Sequence, residues 1–82
     1  MNPHIHALAD HPSEDDRIRF IASEVVVRGR NMPLTVEDDP STVARCQRKL
    51  LTRGCAILSI VKGPRVGEVT INVGPRTRHD IQ

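Results

Sequence analysis

Two periods of hydrophobic spacing alternate along the chain, and the places where one gives way to the other mark its elements. Ile18, Ile21, Ala22 and Val25 recur at three- and four-residue intervals, which places them on one face of a helix. Ser13 followed by Glu14, Asp15 and Asp16 supplies the start, a hydroxyl cap and then carboxylates near the positive end of the helix dipole. From Glu24 the character changes, because Val25-Val26-Val27 is a β-branched run that favours a strand. The pattern predicts a short helix over about 14–23 and a strand over about 24–28, with one helix running to Arg28 as the competing reading. Gly29, Arg30 and Asn31 read as a turn, and 32–36 as a short returning strand that Pro33 confines to a sheet edge.

The second helix is better marked. Asp39 is a good cap, Pro40 a good first helical residue, and Gly54 a left-handed stop after Arg53. Cys55 to Val61 is too short and too β-branched to be another helix, and Lys62 to Gly67 reads as a loop. Glu68 to Val73 alternates, with Val69, Ile71 and Val73 on one face and Glu68, Thr70 and Asn72 on the other. The predicted order is helix, hairpin, helix, hairpin. That is a small α+β domain over 13–74, with an antiparallel sheet packed on one or two helices. Residues 1–12 are expected to form a flexible arm and 75–82 a flexible basic tail.

Composition narrows what such a domain does. The chain has 82 residues and 38% hydrophobic content, so one domain with a modest core and no deep substrate cavity is expected. Phe20 is the only aromatic residue, which argues against base-stacking single-strand readers and aromatic peptide grooves. No apolar run approaches the ~20 residues of a membrane span, and residues 1–11 lack the pattern of a signal peptide. A cytoplasmic location is the expectation. Cys46 and Cys55 then read as two reduced thiols acting as small buried hydrophobes.

Charge adds a second layer. Twelve basic and ten acidic residues give a formal charge of only +2, yet they are segregated, and ten of the twelve bases are arginine. On the second helix Val43, Ala44, Cys46, Leu50 and Leu51 share one side of the wheel. Arg45, Arg48, Lys49 and Thr52 occupy the other, with Arg53 at its margin. Arginine forks match phosphate oxygens, so this stripe reads as a phosphate-contacting face, although a solvated surface is the commoner meaning of such a stripe. Lys62 and Arg65 in the second loop, and Arg76 and Arg78 after the last strand, are further candidates for the same partner.

A basic helix followed by a two-stranded hairpin resembles the end of a winged-helix domain. The segment 29–39, however, does not read as the packed helix that precedes a recognition helix there. The likeness is one of fold order and carries no motif.

Other chemistry is weakly signalled. His4, His6 and His11 sit in the arm with only Asp10 nearby, which reads as a disordered His-bearing arm and not as a metal site. Gly63-Pro64-Arg65-Val66-Gly67 lacks the ending of a phosphate loop, and no catalytic set is recognisable. Two functions remain. One is a non-catalytic regulator binding the duplex backbone of DNA or RNA, without a cofactor. The other is a protein-binding inhibitor or adaptor of the kind found in phage and mobile elements, using the acidic and basic patches or a free strand edge to occlude a larger partner. A homodimer would give either of them more core.

Overall fold

The computed structural model describes residues 13–76. Five elements follow one another: α1 (Glu14–Arg28), β1 (Met32–Glu37), α2 (Pro40–Thr52), β2 (Cys55–Lys62) and β3 (Glu68–Pro75). The α+β class and antiparallel sheet expected from the sequence are present. The first hairpin is not.

Residues 24–28, expected as a strand, complete α1 instead. Val25 is fully buried and finishes the stripe begun by Ile18, Ile21 and Ala22. Burying that stripe outweighs the modest strand preference of three valines. Ser13 caps the helix through its hydroxyl, which accepts the Asp16 N–H at 3.1 Å. The stop is Gly29, with φ 69°, whose N–H reaches the Val25 carbonyl at 3.0 Å. β1 thus enters the sheet alone.

α2 starts and stops where its signals lie. The Asp39 carboxylate accepts the Thr42 N–H and the Thr42 hydroxyl, both at 3.0 Å, and Pro40 occupies the first turn. Arg53 is the C-cap and Gly54 takes φ 84°. Cys46 and Leu50 are buried, whereas Leu51, expected on the apolar side, keeps 41% of its surface exposed.

The sheet order is β1-β3-β2, with both neighbours of β3 antiparallel to it. β1 and β2 therefore run the same way, and the helices run back against them. Leu34 faces Ile71 and Val36 faces Val69, so the even positions of β1 and the odd positions of β3 point to the helices. There they meet Ile18, Ile21, Val25, Cys46, Leu50 and Cys55 in a single core. No described element covers the opposite face, which carries polar cross-strand contacts, Thr35 to Thr70 at 2.9 Å and Asn72 to Ser59 at 2.7 Å. The pairing of β2 shifts between Ile57 and Ser59, which leaves Leu58 as an extra residue. Its side chain lies against Gly74, where a Cβ would come within 2.9 Å of a Leu58 methyl. No helix among the described residues is long and apolar enough to cross a membrane.

Candidate nucleic-acid interface

The structure divides the eight predicted phosphate-binding residues. On the outward face of α2, Arg45 and Lys49 are not free. The Arg45 Nε donates to both Glu14 carboxylate oxygens at 2.9 Å, and the Lys49 ammonium bonds the Asp15 carboxylate. These hydrogen bonds hold both carboxyls below the usual carboxylate range, and the Glu14 bond raises the Arg45 pKa. The acidic turn that starts α1 therefore neutralises half of the α2 stripe. Arg48 has no ion-pair partner among the described residues, and neither has Arg53.

A second group forms where α2 ends. The Arg76 N–H donates to the Gly54 carbonyl at 3.2 Å, which fixes the residue after β3 beside the helix stop. Arg53 and Arg76 both bear electrostatically on the Cys55 thiol, although burial dominates and pushes its pKa up. Burial also raises the Cys46 thiol, and both cysteines are buried free thiols. Two arginines outside the predicted set reach the same end of the molecule. Arg28 and Arg30 flank the α1 stop and share Glu24, at 3.3 and 4.0 Å. Asn31 beside Gly74, and Val26 beside Gly54, tie the α1 stop to the α2 stop. Arg28, Arg30, Arg53 and Arg76 thus lie toward one end, with Glu24 beside the first two and Asp15 across a groove from Arg53.

Lys62 and Arg65 lie at the other end. The eight residues of β2 carry the chain roughly 25 Å from Cys55 to the loop. That loop meets the start of α2, because the Asp38 N–H donates to the Gly67 carbonyl at 2.9 Å. Glu37 and Glu68 are register partners at this end, next to Asp38 and Asp39. The loop cations stand in acidic surroundings and do not extend the α2 stripe. Arg78 lies outside the described residues, as do His4, His6 and His11.

The chain matches no family model, no curated protein and no solved structure. Its chemistry has to be read from this arrangement. The layout departs from a winged helix in the way the sequence suggested: only Asp38 and Asp39 separate β1 from α2, so no helix precedes α2 there. Among the described residues no three His, Cys, Asp or Glu side chains are placed to hold a metal ion. Phe20, the lone aromatic residue, is 61% exposed beside Met32 and Pro33. A single ring offers one stacking surface, not a platform for successive bases.

Proposed function

We propose that the protein is a non-catalytic regulator that engages the phosphate backbone of duplex nucleic acid with the arginines gathered where its two helices end. The observation that carries this reading is the Arg76–Gly54 backbone bond, which sets Arg76 beside Arg53 with no acidic partner for either among the described residues. Arg48 continues the footprint along α2, and Arg28 and Arg30 widen it. Arginine forks suit phosphate oxygens, and unpaired cations release phosphate counterions without first breaking an internal ion pair. Three contacts, from Arg48, Arg53 and Arg76, imply an affinity that falls about 40-fold between 50 and 200 mM salt. Fluorescence anisotropy of a labelled duplex reads that slope, and a salt-insensitive or absent signal overturns the reading.

A homodimer belongs to this proposal, because pairing doubles the phosphate contacts. The two sheet edges differ in a way that supports it. Pro33 lies in β1, and the Arg17 side chain donates to the Thr35 carbonyl, so the β1 edge is blunted. β2 exposes Leu58, Ile60 and Val61 along the other edge, with Lys62 as its only charge.

The protein-binding reading rests on a different feature. Phe20, Ile21, Met32 and Pro33 line a mostly apolar groove of about 450 Å³ between α1 and β1. Loss of partner capture on Phe20→Ala, with duplex binding unchanged, is the result that would favour it.

A further inference from the structure

Between the first half of α1 and the last turn of α2 lies a groove of about 330 Å³, lined by Asp15, Ile18, Arg19, Lys49, Thr52 and Arg53. At ~30 Å³ per water it has room for about ten waters, ample for a phosphate group and the atom that esterifies it. Its charged lining is three cations against one carboxylate, and Asp16, which Arg19 holds, brings a second carboxylate to its margin. The polar groups divide into those already committed and those free. The Thr52 hydroxyl is committed, donating to the Lys49 carbonyl at 2.8 Å. Arg19 holds Asp16, and Lys49 holds Asp15. Arg53 holds no carboxylate among the described residues. Two of the three cations are thus turned toward first-turn carboxylates of α1: Lys49 toward Asp15 within the groove, and Arg19 toward Asp16, which lines the groove between α1 and β1.

We propose that this groove is a phosphate-monoester site, in which Arg19, Lys49 and Arg53 take the phosphate oxygens and Asp15 is the anion that the phosphate displaces. With Asp15 displaced, the three cations remain against Asp16 alone, and a monoester dianion matches that surplus of two, whereas a phosphodiester with one charge does not. Arg19 and Arg53 offer planar forks, and Lys49 offers a mobile point charge that can leave Asp15. The exposed Lys49–Asp15 pair is weak enough to exchange, since surface ion pairs contribute little. The inference deepens the nucleic-acid reading, because Arg53 belongs to both, and a terminal phosphate on a strand end is one source of the monoester. Free phosphate compounds are the other.

Two titrations test the site and separate the sources. In the first, inorganic phosphate is added to the ¹⁵N-labelled full chain at pH 7.5 and constant ionic strength. Saturable shifts confined to the amides of Asp15, Arg19, Lys49 and Arg53 are expected. Arg19→Gln should weaken binding about tenfold, and Asp15→Asn, which frees Lys49, should strengthen it. Shifts spread over all arginine-bearing segments, or a weaker Asp15→Asn variant, overturn the site. In the second, duplexes with 5′-phosphate and 5′-hydroxyl ends are compared by anisotropy. A preference for the phosphorylated end that Arg19→Gln erases places the site on nucleic acid. Equal duplex affinities with no phosphate shifts overturn the groove and leave the duplex reading standing. Saturable phosphate shifts without duplex binding overturn the duplex reading and leave the groove. Thermal melts of each variant confirm that its fold is intact.

Discussion

At the residue scale, burial and electrostatics pull on different side chains. Leu50 is fully buried on α2 among Cys46, Cys55 and strand residues. Leu50→Ala should cost about 2–5 kcal/mol, seen as a lower denaturant midpoint with unchanged slope. The carboxyls of Glu14, Asp15, Asp16 and Asp39 are all held below the usual range, by Arg45, Lys49, Arg19 and the Thr42 N–H respectively. A carboxyl with a lowered folded pKa stabilises the fold above its unfolded pKa and loses that contribution as pH falls through the folded value. Stability from these four groups should therefore be level above about pH 5 and decline from about pH 4 downward. Melting temperature against pH checks this. A decline that begins above pH 6 would point to other groups.

At the element scale, the two helices were legible in unequal measure. α2 was readable end to end because its signals are local: a capping carboxylate, a proline and a left-handed glycine each act within one turn. α1 was readable at its start and along its buried stripe but not at its end. Whether Val25, Val26 and Val27 continue a helix depends on a sheet and a second helix that lie far along the chain. Val25 is buried against them, while Val27 is 78% exposed. The same misreading hid Arg28 and Arg30, which a hairpin would have placed elsewhere. The stop glycines are open to a direct test. A Cβ at Gly54 would meet only Val26 at 3.8 Å, an ordinary contact, so strain at φ 84° is the whole penalty. Gly54→Ala should destabilise by about 1–2 kcal/mol, measured by chemical denaturation.

At the scale of the whole molecule, the topology sorts charge in a way that sequence spacing does not show. The acidic first turn of α1 lies against Arg45 and Lys49 of α2, while the α1 stop lies beside the α2 stop. Lys62 and Arg65 are close in sequence to Arg53 but are carried to the acidic end by the length of β2. Arg76 is distant in sequence and is brought back to Gly54 by β3. The α2 cations were visible as a stripe, but their pairing with Glu14 and Asp15 was not, since it spans more than thirty residues. The dimer belongs to this scale too. Ile60→Lys on the β2 edge should convert a dimer to a monomer in light scattering after size exclusion, while Thr35→Lys on β1 should not. A wild-type chain that is monomeric at every concentration contradicts the pairing.

Duplex affinity measured across salt, for the wild type and two charge-reversed pairs, tests the central claim most directly. Arg53→Glu with Arg76→Glu should abolish binding and flatten the salt dependence, whereas Lys62→Glu with Arg65→Glu should leave both nearly unchanged. Equal losses in the two pairs, or a loss confined to the loop pair, would contradict the account.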